Sequence, residues 1–501
     1  MPHSYHKRAF SGMAYNYLGK LVSAVLSFFT FTYIVKAVSV EEYGFYSSII
    51  NIIFFITLIL DFGIPEIVLR YFPEYMEKKD PYIMKEILSR CLKLIFRGSA
   101  ILVIAALILL FSFHNNAAVN SFLRFTPFLV ILGSLKVLSL VFSNILNAFL
   151  YQGYRNMFEV LTALLKLILT SISINMGLGV CGIVISCGIA DFFLIVSSFL
   201  RLYKPLYGQA RANSPAQKVS LQRFEKFGRN EYFYKLFWFF TDNRIDIYIV
   251  TFFLGITSAG CFAFAINTTN MLMEWTPGTI FRNVISPLFV RQYAKNKGLE
   301  ELQYLFQLYN KFLLFLTFPI YLFIGILSKE IITYVFDQKY LTAIRPFQLF
   351  LFFTFFINFI IPIRSILSVL ERPDISNLSN VFAVLKFILI LFFINYYNIN
   401  AVAIAYGITL FAIIAFNLSM MRTFFTPRYP REAILKIAVN GLVIGVALSL
   451  VKSHITNTSG LITMGLMGFM AYAGLSYYNK PFSDYDRELL NSGLKMRLWK
   501  F

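Results

Sequence analysis

Apolar runs long enough to cross a bilayer recur along the whole chain, separated by short polar breaks. About 20 apolar residues in an α-helix span the roughly 30 Å of membrane hydrocarbon. Such runs occupy 12–35, 44–68, 94–113, 125–149, 156–176 and 179–200. A polar stretch at 201–235 interrupts the series, which resumes at 236–254, 258–280, 312–328, 346–368, 376–397 and 399–420. A final pair covers 434–451 and 460–478. The pattern predicts an all-α polytopic membrane protein of about 14 transmembrane helices, with room for re-entrant structure at 329–345. The apolar stretch after MPHSYHKRAF exceeds a signal-peptide core of about 7–15 residues and is read as a retained first span.

The basic residues test this map. Of the 45 lysines and arginines, 34 fall at alternate span ends, including seven between Arg70 and Arg97 and eight between Arg201 and Lys235. The opposite ends hold six: Lys36, Arg124, Lys329, Lys339, Arg345 and Lys452. Because Lys and Arg accumulate on the cytoplasmic side, both termini are expected there, in a multi-pass protein of the cell (inner) membrane.

Composition agrees. The 501 residues are 58% hydrophobic and only 14% charged, against about 25% charged in soluble domains. The formal charge of +20 follows from loops flanking the spans, with attraction to anionic membrane lipids as a corollary. No basic, aromatic-interleaved module suggests nucleic acid. The four cysteines lack metal spacing or a disulfide framework, and the four histidines sit in the tail or short loops. Neither a metal nor a cofactor is expected.

The chain repeats itself. A-L-L-K-L-I-L (163–169) recurs as A-V-L-K-F-I-L (383–389), and Ile174-Asn175 as Ile394-Asn395. VSVEEYGFYSSIIN (38–51) parallels LGITSAGCFAFAIN (254–267). Spans 1–6 thus correspond to spans 7–12 in the same orientation, the parallel-repeat arrangement of some secondary transporters. The expected organisation is an N-terminal six-helix lobe (1–200), a cytoplasmic linker (201–235), a C-terminal six-helix lobe (236–424), an additional helix pair (425–478) and a cytoplasmic tail (479–501), with a central cavity between the lobes.

Lys166 and Lys386 occupy equivalent mid-span positions, about 15 Å from either end at 1.5 Å per residue. A lysine that deep costs roughly 2.5–3.5 kcal/mol on insertion scales and normally faces a bundle interior or a wet cavity. Lys20, Lys136 and Arg244 are also placed inside spans, so a cationic cavity for an anion is the expected site. Five acids, Asp61, Asp191, Asp242, Asp246 and Glu274, lie inside spans too. Interhelical ion pairs are therefore the competing reading, with Asp61, Asp242, Asp246 and Glu274 as ion-pair or coupling candidates. In TDNRID (241–246) a continuous helix puts Asp242 and Asp246 on one face and Arg244 about 200° away. Asn267, Asn270 and Asn358 suit either sugar hydroxyls or helix linkage. Gly63-Ile64-Pro65, Pro277-Gly278 and Pro319 are candidate kinks.

SVEEYGFYSSIINIIFFITLILDFGIPEIVLRYFPEY (39–75) resembles the span 1–2 region of polysaccharide-unit flippases, relatives of multidrug and toxin extrusion transporters and the peptidoglycan-precursor flippase. TDNRIDIYIVTFFLGITSAGCFAFA (241–265) resembles their span 7–8 region, with Asp246 at an acidic position. SKEIITYVFDQKYLTAIRPFQLF (328–350) is similar to the loop after span 9, although Asp337 stands where Phe-Gly is expected before the tyrosine motif. The resemblance implies two lobes opening alternately to each side. Its cargo would be a polyprenyl-pyrophosphate-linked oligosaccharide moved outward for O-antigen, capsule or exopolysaccharide synthesis, alongside polymerase machinery. Lysine is a common phosphate partner. The rival readings are an ion-coupled multidrug exporter of the same fold, a membrane enzyme acting on lipid-linked sugars, and an assembly protein.

Overall fold

The computed structural model describes residues 2–78, 80–112, 117–204, 222–241, 243–276, 299–370, 372–494 and 500–501. Two compact units divide the chain, Met1–Ile245 and Asp246–Phe501. The described residues are mostly helical, with no strand among them.

Unit 1 contains α1 (Pro2–Ala37), α2 (Val40–Asp61), α3 (Ile64–Glu77), α4 (Pro81–Ser112), α5 (Ala117–Ala148), α6 (Gln152–Asn175), α7 (Gly179–Tyr203) and α8 (Gln222–Thr241). A capping box starts α2: Ser39 Oγ accepts from the Glu42 N–H, and Glu42 accepts from the Ser39 N–H at 2.8 Å. The predicted span 44–68 does not run through. It ends at Asp61, because Phe62 and Gly63 both take left-handed backbone (φ 47° and 71°) before α3 restarts. Gly63 is confined there twice over, since a Cβ would also collide with the Gly228 carbonyl oxygen. The core of this unit joins Leu60, Val68 and Phe72 to Ile95, Val137 and Ile145, all fully buried. On α4, by contrast, Ile101, Ile104 and Ile108 form an exposed stripe at helical spacing. Such a stripe is stable against hydrocarbon rather than water.

Unit 2 contains α9 (Asp246–Leu254), α10 (Ile256–Glu274), α11 (Leu299–Ile326), α12 (Ser328–Tyr334), α13 (Ile344–Phe355), α14 (Ile357–Val369), α15 (Pro373–Leu378), α16 (Phe382–Tyr397), α17 (Asn400–Met421), α18 (Arg431–Val451), α19 (Thr458–Asn479) and α20 (Asp484–Leu494). The pair α16 and α17 packs together here as α6 and α7 do in unit 1, in line with the sequence repeat. The region 329–345 forms α12 and a 3-10 turn, Gln338–Ala343.

Among the described residues twelve helical segments are long and apolar enough to cross a membrane. The predicted runs 236–254 and 258–280 are not among them. The first breaks between Thr241 and Asp246. The second, α10 in its described part, carries Asn267, Thr268, Thr269 and Asn270 in succession.

Part of the tail, 479–501, packs onto unit 2. Ser483 and Asp486 exchange backbone and side-chain hydrogen bonds and start α20. Asp486, fully buried, accepts from Lys311 Nζ at 2.7 Å and from the Tyr304 hydroxyl at 2.7 Å, while Phe482 and Phe501 pack on Phe315. Burial pushes the Asp486 carboxyl up, but the Lys311, Tyr304 and Ser483 hydrogen bonds outweigh it and hold it below its usual value. A depressed folded value contributes stability above the unfolded value of about 3.9 and loses it as pH falls through the folded one. Docking of α20 is therefore expected to hold at neutral pH and to weaken in acid below about pH 4. At neutral pH, Asp486→Asn should reproduce the release, read as faster hydrogen exchange across 480–494 with the membrane helices unchanged.

Candidate functional site

In unit 2, Lys386 meets a carboxylate. Its Nζ lies 3.0 Å from Asp246 and donates to Oδ2, and the two side chains are 2% and 0% exposed. Asp246 stands in the first turn of α9, where the positive end of the helix dipole favours it. Lys386 is therefore a scaffold cation and not a free one. This corrects the expectation of two equivalent lysines offered to an anion.

Unit 1 lacks the matching acid. The residue 216 positions before Asp246, at the offset of the repeat, is Thr30, buried and bonded to Leu26 of its own helix at 2.8 Å. Lys166 on α6 instead meets Cys187 of α7 and Tyr46 of α2, with Asp191 the carboxylate in electrostatic reach. No carboxylate among the described residues comes within ion-pair distance of it. Asp191 is already engaged: Lys136 Nζ from α5 lies 3.0 Å from its Oδ1, and Ser139 Oγ lies 3.4 Å from the same oxygen. Two lysines therefore share one acid.

Lys20 adds a third cation. It is exposed on α1, next to Gly19, where α1 crosses Asn156 of α6 so closely that a Cβ would lie 2.7 Å away. It has no hydrogen-bond or ion-pair partner among the described residues. Arg244 is exposed in the turn before α9, and its guanidinium lies 3.9 Å from the centre of the Phe54 ring on α2. Lys20, Lys136, Lys166 and Arg244 thus belong to unit 1, as does Asp191, so that unit carries a cationic surplus.

The acidic candidates are mostly committed. Asp61 accepts from the Gly63 N–H at 2.9 Å and from Lys235 at 2.8 and 2.7 Å, and Lys235 also lies 2.6 Å from Glu66. This Lys235 clamp ties α8 to the α2–α3 break and was invisible in the sequence, where Lys235 counts as a linker charge. Glu274 ends α10 and is exposed, not deep in a span. Asp242 lies outside the described residues. The single-helix geometry expected for TDNRID does not hold, since the chain turns at 243–245. Asn and Asp offer backbone groups local partners and so favour such a break.

These units and spans define a polytopic α-helical membrane protein. Among solved structures, one titled "Lipid II flippase MurJ, inward closed conformation" is similar over 95% of this chain and 99% of its own, at 15% identity and a TM-score of 0.69. An inward-facing multidrug resistance MATE family transporter of the MOP superfamily is similar over 80% and 94%, at 16% identity and a TM-score of 0.63. Among curated proteins none matches the sequence significantly. A family described as "Polysaccharide biosynthesis protein" matches residues 9–291. The chain belongs to that family, on a fold shared with MOP-superfamily flippases and transporters.

Proposed function

We propose that the protein is a flippase that carries a polyprenyl-pyrophosphate-linked oligosaccharide from the cytoplasmic to the outer leaflet for surface polysaccharide synthesis. The observation that carries this reading is the cationic surplus of unit 1. Lys136 and Lys166 share one acid, Asp191, and Lys20 is a further exposed cation of the same unit, while the repeat-equivalent lysine of unit 2 is neutralised. A pyrophosphate is the complementary charge, and Lys is a point-charge phosphate ligand. Family membership and the similarity in fold to a lipid II flippase support the same reading. In this scheme the cargo site opens alternately to each side, and both termini face the cytoplasm of a cell membrane.

A cation exporter on this fold would need acids free to bind cargo or coupling ions. Asp61 is held by Lys235 and Asp246 by Lys386, which weighs against that reading. Deleting the protein in its native cell should raise the inner-leaflet pool of lipid-linked oligosaccharide severalfold and abolish the surface polymer, without changing drug sensitivity. A drug-sensitive strain with normal polymer would overturn the proposal.

A further inference from the structure

We propose that a cavity bounded by α3, α4 and α8 holds the phosphate head and first acyl carbons of an anionic glycerophospholipid. The cavity lies wholly within unit 1 and encloses about 400 Å³. From α4 come Arg90, Lys93, Leu94 and Arg97, whose i, i+3, i+4, i+7 spacing puts them on one helix face. From α8 come Glu225, Gly228, Arg229 and Tyr232 at the same spacing. Beneath the charges lies an apolar floor: Ile64, Ile67, Ile87 and Phe224 are all buried.

Arg90 is bonded to Glu86 at 2.7 Å. Lys93, Arg97 and Arg229 are exposed and have no hydrogen-bond or ion-pair partner among the described residues. Glu225 is the one acid in the lining, against four bases. The apolar run of α4 starts at Leu94, and seven basic residues between Arg70 and Arg97 gather at that end. These cations therefore stand near head-group level. Basic pockets between membrane helices at that level suit anionic lipid heads. Inorganic phosphate would use the cations and leave the apolar floor empty, whereas a phospholipid fills both. The leaflet follows from the orientation proposed above, but the binding itself does not depend on transport.

The test uses full-length protein in detergent, titrated with phosphatidylglycerol or phosphatidylethanolamine and read by native mass spectrometry. Wild type should prefer phosphatidylglycerol, and Lys93→Gln/Arg97→Gln/Arg229→Gln should bind it at least tenfold more weakly with the melting temperature preserved. Leu94→Trp, which narrows the cavity from its α4 wall and keeps every charge, should also weaken it. Arg422→Gln/Arg428→Gln/Arg431→Gln, an equal loss of charge in unit 2, should leave it unchanged. Equal binding by all four proteins would overturn the assignment. So would a wild type that ignores phosphatidylglycerol or takes only a polyprenyl phosphate.

Discussion

Lys386→Ala should remove most of the folded protein from the membrane. The substitution leaves the Asp246 carboxylate buried without its lysine, and breaking a buried pair in this way costs about 3–5 kcal/mol. Total folding stability is typically only about 5–15 kcal/mol, so the loss should show as a lower membrane level and a lower melting temperature in detergent. The double substitution Lys386→Met/Asp246→Leu should restore both. Replacing a buried pair by apolar groups of similar volume removes the desolvation penalty together with the attraction. If Lys386→Ala folds normally, the pair is not a scaffold. Asp246→Leu alone should resemble Lys386→Ala, since it strands the other charge.

Lys166→Gln should behave in the opposite way. Lys166 is half-buried and meets Cys187 and Tyr46, so its loss strands no ion-paired carboxylate. Membrane level and melting temperature should therefore stay close to wild type. Transport should fall, because a hydrogen bond to a charged partner contributes about 1.5–3 kcal/mol. That corresponds to roughly ten- to hundredfold at 1.4 kcal/mol per decade. Lys166→Arg should retain part of the activity. Lys136→Gln should give a milder defect, since it leaves Asp191 free to neutralise Lys166.

This contrast between two lysines could not be read from the sequence, which places them in matching heptapeptides. Hydropathy and the alternation of basic loops report on bilayer crossing, which is a local and additive property, and so most of the spans were legible. Partner choice is not local. Asp246 and Lys386 are 140 residues apart, and Asp61 and Lys235 are 174 apart. Breaks within apolar runs were also obscure. Phe62 gives no sign of left-handed backbone, and only the adjoining Gly63-Ile64-Pro65 marks the end of α2. The run at 236–254 hid a turn at Asn243 because its flanks are apolar enough to pass as one helix. The docked tail had a legible signal in the Ser483-x-x-Asp486 capping pattern, though its anchor, Lys311, lay far away in sequence.

The most direct measurement follows a fluorescent polyprenyl-diphosphate oligosaccharide across proteoliposome membranes containing wild type, Lys166→Gln or Lys386→Met/Asp246→Leu. If the anion is carried by Lys166 and the cations around it in unit 1, wild type and the double variant should translocate it at similar rates, while Lys166→Gln falls at least tenfold. Full-rate transport by well-folded Lys166→Gln would contradict the account.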